Sequence, residues 1–336
     1  MENKNIILDI QDLEVRFEVD GEIIRAVNGV SLTLEKGKTL GLVGETGAGK
    51  TTTALAVMHL VPDPPGIISN GNILLNGKDV MGMSKAELEK IRGKEVSMIF
   101  QDPMTSLNPV FTIGEQIAES LEIHEQLSRT DAMKKAKEML ELVGIPGSRA
   151  SDYPHQFSGG MKQRVVIAIA LACNPQLLIA DEPTTALDVT IQAQVLELMK
   201  ELKEKYGTAM IMITHDLGIV AEVCDEVAVM YAGRIIEKGT LDQVFNNTLH
   251  PYTEGLFNSL PNIKDRKSEL LPIPGLMPDP VNLPVGCAFE PRCSYARAEC
   301  SLRQPESRMV SDHMVCCSAY DHPDFHIKRK GGKYVE

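Results

Sequence analysis

A strand, a glycine-rich loop and a helix follow one another early in this chain, and they constrain its fold more than any other segment. The apolar run from Thr39 to Val43 predicts a buried strand, and Thr51 to Leu60 predicts a helix. Between them, Gly44 to Thr51 fits the pattern G-x-x-x-x-G-K-[ST]. In such a loop the glycines let backbone N–H groups converge on phosphate oxygens, and the helix start adds a partial positive charge. The loop is therefore predicted to bind a nucleotide.

Side chains in this loop have tasks of their own. Lys50 supplies a full positive charge for the β- and γ-phosphates, and the Thr51 hydroxyl can bind Mg²⁺. The residues predicted to contact the nucleotide here are Gly44, Glu45, Thr46, Gly47, Ala48, Gly49, Lys50, Thr51 and Thr52.

Composition and charge exclude several classes of function. The chain has 336 residues, enough for one main domain plus an appendage. Its formal net charge of −12 argues against a nucleic-acid-binding surface. The longest strongly apolar run, Val165 to Cys173, is about half as long as a bilayer-spanning helix requires, and the polar start from Met1 to Asn5 leads into no apolar signal segment. We therefore expect a protein of the cytosol, or one bound to a membrane through other subunits.

Strands alternate with helices along the chain, which is typical of a mostly parallel sheet covered on both faces. Asp20-Gly21 predicts a hairpin turn, and a helical period from Ile113 to Val143 interrupts the alternation. The remaining predicted elements are the strands Leu8–Phe17, Ala26–Leu34, Gly71–Leu75, Val96–Phe100, Leu177–Ala180, Ala209–Thr214 and Val227–Tyr231 and the helix Ile191–Lys205. The predicted fold class is α/β, and the prolines from Pro272 to Pro284 predict a stiff connector into a cysteine-rich tail.

Two acidic residues end one of these predicted buried strands. Asp181 is placed to help hold Mg²⁺ at the carboxyl end of the strand, where α/β sheets bind their ligands. Glu182 can then polarise an attacking water as a general base. Together with the phosphate-binding loop, this pair indicates nucleotide hydrolysis.

A second anion site is predicted at the start of another helix. Ser158 has the character of an N-cap residue, and the N–H groups of Gly159 and Gly160 are left unpaired. The segment Ser-Gly-Gly-Met-Lys-Gln-Arg, residues 158–164, resembles the signature of ATP-binding-cassette ATPases. It precedes Asp181 by the short interval that is usual in that family.

The other motifs of the family occur here in the same order. Gln101 resembles the Q-loop glutamine, which senses Mg²⁺ and contacts the transmembrane partner. Ala186-Leu187-Asp188 resembles the D-loop, and Thr214-His215-Asp216 resembles the segment with the switch histidine that holds the γ-phosphate. Phe17 is the candidate aromatic residue for stacking on adenine, although the Asp20-Gly21 hairpin is longer than is usual in the family.

The resemblance implies an ABC-type nucleotide-binding domain over residues 1–249. Such a domain has a P-loop, a RecA-like core with an antiparallel β subdomain, and a helical subdomain, here at about residues 104–160. ATP hydrolysis is implied, with Glu182 and His215 catalytic and Mg²⁺ held by Thr51, Gln101 and Asp181. The residues implied to face the ATP of a second cassette are Ser158, Gly159, Gly160 and Gln163, with Asp188 in the D-loop.

Residues 250–336 resemble the C-terminal region of ATPase subunits of dipeptide and oligopeptide importers. The resemblance is carried by His250-Pro251-Tyr252-Thr253, Leu256, Ser259-Leu260-Pro261, Gly275, Pro278 and the run from Gly286 to Cys293. It implies a peripheral subunit on the cytoplasmic face of the cell membrane that powers peptide import. Its implied partners are a second cassette ATPase, expected to be a paralogue, two transmembrane permeases and an extracellular or periplasmic peptide-binding protein. Nickel or another small solute is the alternative cargo.

Five of the seven cysteines fall in the last fifth of the chain. Clustered thiols in a cytosolic protein suggest a metal site, and four thiolates can hold either an iron–sulfur cluster or zinc. The gaps of five and six residues lack the close pairs common in structural zinc sites, so zinc is the alternative, with His313 as a possible ligand. In the family, four tail cysteines can hold a [4Fe–4S] cluster, and the implied ligands are Cys287, Cys293, Cys300 and Cys317. Cys317 is preferred to the adjacent Cys316 because the family's cysteine usually follows a Val-x pair.

Two other classes of function are alternatives to a transporter ATPase. Cassette ATPases that act on DNA or ribosomes usually carry long coiled coils or two cassettes in tandem, and this sequence shows neither. A redox or iron sensor built on the tail is possible as an added layer.

Overall fold

The computed structural model of this chain describes residues 5–185, 187–259 and 272–327. The strands are β1 (Ile6–Val19), β2 (Glu22–Glu35), β3 (Thr39–Val43), β4 (Gly66–Leu75), β5 (Lys78–Asp79), β6 (Val96–Ile99), β7 (Leu177–Asp181), β8 (Ala209–Ile213), β9 (Glu226–Tyr231), β10 (Arg234–Thr240), β11 (Arg308–Val310) and β12 (His313–Val315). The α-helices are α1 (Lys50–Val57), α2 (Lys85–Ile91), α3 (Pro103–Ser106), α4 (Ile113–Glu125), α5 (Arg129–Leu142), α6 (Gly159–Leu171), α7 (Val189–Tyr206), α8 (Leu217–Val223), α9 (Leu241–Asn246) and α10 (Pro251–Asn258).

The smaller of the two sheets in the described part is antiparallel, with the strand order β2-β1-β4-β5. The predicted turn joins β1 to β2, and both turn residues have positive φ, 52° at Asp20 and 83° at Gly21. This is the backbone that a two-residue hairpin requires. Val19 pairs with Glu22 directly across the turn, so both strands are longer than predicted.

The larger sheet has the strand order β11-β12-β10-β9-β3-β8-β7-β6. The strands from β9 to β6 run parallel, and β3, β6, β7 and β8 are buried along their whole length. Full burial on both faces is what near-continuous apolar strands predict. Since parallel strands end at the same edge, the residues that follow β3, β6, β7 and β8 are brought together there.

The segment from Ile113 to Val143, which has a helical period in the sequence, forms two helices rather than one continuous helix. α4 ends at Glu125, its C-cap residue Gln126 has a left-handed φ of 56°, and α5 begins after Ser128. The Ser128 hydroxyl accepts a hydrogen bond from the backbone N–H of Asp131, so α5 has its own N-cap. The two helices pack against each other through the apolar side chains that recur at helical spacing in the sequence.

The tail is joined to the larger sheet, which the sequence did not predict. β12 pairs with β10 through Glu237 and Val315, and β11 pairs with β12, so a tail hairpin extends the sheet at its edge. The predicted division at residues 249 and 250 falls between α9 and α10. In the described part of the chain, no helix is both long enough and apolar enough to cross a membrane.

Candidate functional site

The glycine-rich loop between β3 and α1 has a backbone that side chains would obstruct. Gly44 and Gly49 have φ of 154° and 101°. A Cβ at Gly44 would collide with the carbonyl of Met230, and one at Gly49 with the carbonyl of Ala26. Both glycines are therefore needed for the neighbouring strands to pack closely against the loop.

Lys50 is folded back over this loop. Its Nζ donates to the carbonyl oxygens of Gly44 at 2.8 Å and Glu45 at 2.9 Å. Burial lowers the pKa of Lys50, and the nearby carboxylates, foremost Glu182, oppose that effect. The ammonium group thus lies beside the loop N–H groups. When a nucleotide binds, the ammonium group can replace its hydrogen bonds to the two carbonyl oxygens with hydrogen bonds to phosphate oxygens.

Thr51 and Asp181 meet at the end of β7. The Thr51 hydroxyl hydrogen-bonds the Asp181 carboxylate, while burial raises the pKa of that carboxyl group. A hydroxyl and a carboxylate side by side are hard oxygen donors of the kind that Mg²⁺ prefers, so Thr51 and Asp181 would hold the ion beside a bound nucleotide.

Glu182 stands at the centre of a hydrogen-bonded group. Its carboxylate accepts from Gln101 Nε2 at 2.7 Å and from the Thr185 hydroxyl at 3.0 Å, and it lies 3.1 Å from Nδ1 of His215. Burial alone would raise the pKa of Glu182, but these hydrogen bonds outweigh it and leave the pKa lowered. The φ of Glu182 is 47°, a strained backbone for a side-chain-bearing residue, and such strain is concentrated at functional sites.

These groups line one cleft of about 490 Å³. Its lining residues are Phe17, Ile24, Ala26, Thr46, Gly47, Gly49, Lys50, Thr51, Thr52, Gln101, Glu182, His215 and Pro280. The structure therefore brings Phe17, Gln101, Glu182 and His215 to the loop, as the motif order predicts. Pro280 comes from the tail and has no signal in the sequence; its carbonyl accepts a hydrogen bond from the backbone N–H of Arg25.

The segment predicted to face a second cassette lies elsewhere. Ser158 caps α6 by accepting from the backbone N–H of Met161 at 3.4 Å, and Ser158 and Gly159 are exposed. Of the described residues that line the cleft, none belongs to α6. Gln163 is only 1% exposed, so its predicted contact with a partner's nucleotide has no support from its position. Asp188 caps α7 by accepting from Ile191 N–H at 3.0 Å, and Ala186 lies outside the described residues.

Four tail cysteines surround a second, small cavity. Cys287, Cys293, Cys300 and Cys317 line it together with His250, and all four are free thiols. Burial raises the pKa of Cys287, that of Cys293 to about 11 and that of Cys317 to about 12. Such thiols stay protonated near neutral pH unless a metal stabilises the thiolates.

Two other candidate ligands point away from this cavity. The Cys316 thiol contacts the carbonyl of Ile235 at 3.4 Å and lines a neighbouring pocket. His313 lies 3.0 Å from the buried carboxylate of Glu237, so the expectation that it could serve as a zinc ligand beside the cysteines is wrong. Among the described residues, no three His, Cys, Asp or Glu side chains are close enough together to hold a metal ion.

Two tail residues that sequence reasoning missed reach the phosphate-binding loop. The Arg292 guanidinium pairs with the Glu45 carboxylate, and the Tyr252 hydroxyl accepts from the backbone N–H of Glu45 at 2.9 Å. Nothing in the sequence around Tyr252 or Arg292 marks these contacts, because they join segments more than 200 positions apart.

Comparisons with known proteins agree with this geometry. Residues 27–185 match the family model described as "ABC transporter", and residues 236–300 match the model described as "Oligopeptide/dipeptide transporter, C-terminal region". The chain is 53% identical over 321 residues to the oligopeptide transport ATP-binding protein OppD of Bacillus subtilis (strain 168), which covers 95% of this chain and 90% of that protein. It is 48% identical over 328 residues to the dipeptide transport ATP-binding protein DppD of the same organism, covering 97% and 98%.

A solved structure has the same fold. The ATP-binding cassette MJ0796, a dimer in a post-hydrolysis state bound to ADP and Pi, aligns with a TM-score of 0.63 and 27% sequence identity. The alignment covers 70% of this chain and 98% of that one.

Proposed function

This chain belongs to the ABC transporter family of ATPases, and we propose that it powers the import of dipeptides or oligopeptides through a membrane transporter. The observation that carries the proposal is that one chain combines a cleft lined by the phosphate-binding loop, Gln101, Glu182 and His215 with a tail that matches the oligopeptide/dipeptide transporter C-terminal region. The predicted ATPase activity and cassette fold are confirmed by the family match. Relatives named for oligopeptide and dipeptide transport favour peptides over the nickel alternative.

The polar and aromatic residues at the cleft have distinct roles in this proposal. The loop N–H groups and Lys50 bind the phosphates, while Mg²⁺ is held from Thr51, Gln101 and Asp181. Glu182 accepts the proton of the attacking water, and His215 orients it and contacts the γ-phosphate. Phe17, which lines the cleft, stacks on adenine.

A second cassette, which we expect to be a paralogue, faces the exposed start of α6. The support is that Ser158 and Gly159 are exposed and lie outside the cleft that already holds a complete phosphate site. We further propose two permeases contacted near Gln101, a peptide-binding protein outside the cell, and a peripheral position on the cytoplasmic face of the membrane.

Uptake by whole cells tests the cargo. In cells that lack this subunit, uptake of a labelled tripeptide is expected to fall to background, while uptake of labelled nickel is unchanged. Wild-type protein should restore peptide uptake, and Lys50→Ala should not, because the phosphates lose their principal cation. Lys90→Ala, which removes an exposed lysine from α2, is the matched control. Loss of nickel uptake with normal peptide uptake would overturn the proposed cargo.

We also propose that Cys287, Cys293, Cys300 and Cys317 bind a [4Fe–4S] cluster. The support is that these four thiols line one cavity. One tetrahedral zinc ion would bring its thiolates to about 3.8 Å from each other. A four-iron cluster binds one thiolate at each of its four irons and spaces the thiolates more widely, and the four thiols that line this cavity equal the number of ligands that it needs.

The adjacent cysteines make this cofactor proposal testable. Protein purified without oxygen is expected to be brown and to contain about four irons and about four acid-labile sulfides per chain. Cys317→Ser should remove most of the iron because a cluster corner loses its ligand. Cys316→Ser, the matched control, should keep it, since that thiol contacts Ile235 instead. Stoichiometric zinc without sulfide, or cluster loss in Cys316→Ser alone, would contradict the assignment.

A further inference from the structure

The tail anchors the second residue of the phosphate-binding loop through an ion pair. Nη1 of Arg292 lies 3.0 Å from one carboxylate oxygen of Glu45, and Nη2 lies 3.2 Å from the other. This is the two-point geometry in which a guanidinium fixes both the position and the orientation of a carboxylate. It joins residues 247 positions apart, across the border between cassette and tail.

Arg292 is itself held rigidly. Its side chain is only 7% exposed, its Nε donates to the carbonyl of Pro274 at 2.8 Å, and Nη1 also reaches the Tyr231 hydroxyl at 3.3 Å. The guanidinium lies 5.8 Å from the Tyr231 ring centre and 6.0 Å from that of Phe289. The Glu45 side chain is 30% exposed. Removal of the Glu45 carboxylate would therefore leave the less exposed Arg292 charge without its ionic partner, whereas a lone Glu45 carboxylate could still be hydrated.

The restraint on Glu45 also fixes its backbone, which is part of the phosphate-binding loop. Its backbone N–H donates to the Tyr252 hydroxyl, and its carbonyl oxygen accepts from Lys50 Nζ. Side chain, N–H and carbonyl of Glu45 are thus each held, the first two by tail residues. The conformation of the loop is therefore set in part by the tail.

We propose that Arg292 is a positioning residue that holds the phosphate-binding loop ready for ATP and couples the ATP site to the cysteine site. Arg292 lies between two of the proposed cluster ligands, Cys287 and Cys293, and immediately precedes the latter. A change that makes the cysteine site more mobile therefore weakens the ion pair between Arg292 and Glu45. By linkage, ATP binding stabilises the cysteine site to the same extent. The first half of this proposal needs only the ATP site, whereas the second half rests on the proposed cluster.

An effect of charge alone and an effect of positioning predict opposite changes in ATP affinity for one variant, Glu45→Gln. Arg292→Gln removes a positive charge near the phosphates, so either effect weakens ATP binding. Glu45→Gln removes a negative charge beside the phosphates and would strengthen ATP binding by charge alone. If Glu45 must be held by Arg292, both substitutions weaken ATP binding.

The test measures the Kd for a fluorescent ATP analogue with Mg²⁺ on the full chain. We expect Arg292→Gln and Glu45→Gln each to raise the Kd about tenfold, and the double variant to raise it no further, because both break the same contact. Arg303→Gln is the matched control, since its partner Asp321 lies on the same tail but away from the loop. Tighter binding by Glu45→Gln, or effects that multiply in the double variant, would overturn the role of Arg292.

A second measurement separates this role from the cysteine coupling. We expect Cys317→Ser to raise the Kd for the analogue, and adding Arg292→Gln to raise it no further. ATP should also slow the bleaching of the brown absorbance by a chelator in wild type but not in Arg292→Gln. If Cys317→Ser binds the analogue normally while Arg292→Gln does not, the coupling is refuted and the positioning role stands. Absence of any iron or sulfide would refute the cluster and leave the Glu45 test intact.

Discussion

Glu182→Gln is expected to lower the rate of ATP hydrolysis by at least about 10²-fold while leaving ATP bound. The lowered pKa of Glu182 keeps it a carboxylate at neutral pH, able to accept a proton from the water that attacks the γ-phosphorus. Glutamine has the same shape and can keep contacts with Gln101 and His215, but it cannot accept that proton. In the proposed function the loop and Lys50 bind the nucleotide, and the substitution leaves both in place.

Steady-state phosphate release and retention of labelled ATP after rapid gel filtration measure the two effects separately. Glu222→Gln, which removes an exposed carboxylate from α8, is the matched control and should hydrolyse ATP normally. Near-normal turnover by Glu182→Gln would refute the general base. Loss of both turnover and ATP retention would instead place Glu182 among the groups that bind the nucleotide.

The cleft could be predicted from sequence because its parts follow the ends of buried parallel strands. Gly44, Gln101, Glu182 and His215 come after or near the carboxyl ends of β3, β6, β7 and β8, and parallel pairing brings those ends together. Apolar runs mark the strands, and a glycine loop or polar residues mark their ends. Local patterns therefore contained most of the site.

The tail contacts could not be predicted because no local pattern encodes them. β11 and β12 have three residues each, too few to show a period of two, and they form by long-range pairing of β12 with β10 and of β11 with β12. Arg292 reaches Glu45 of the loop and Pro280 reaches the cleft through long-range packing, and an arginine or a proline in a loop has many other possible contacts. Gln163 shows that a local pattern can also mislead. It is a polar residue within a recognised motif, yet it is buried.

The start of α6 leads to the second large effect. Ser158 and Gly159 form an exposed anion-binding helix start, yet the cleft of the same chain already has a complete phosphate site. One triphosphate does not need both from one chain. If two cassettes face each other, each α6 start completes the ATP site of the other, so the isolated chain should bind ATP but hydrolyse it slowly.

Ser158→Arg is therefore expected to damage the partner's ATP site and spare its own. Removing donors of this kind costs on the order of 10²–10³ in rate, and a bulky cation would also block the approach of the partner. The test is a mixed dimer with Ser158→Arg in this chain and a wild-type paralogue, with nucleotide trapped at each phosphate-binding loop separately. Ser84→Arg, which replaces the exposed N-cap of α2, controls for the loss of a helix cap. Trapping lost at this chain's Lys50 site but kept in the partner would show that α6 serves its own cleft, and the facing arrangement would then be wrong.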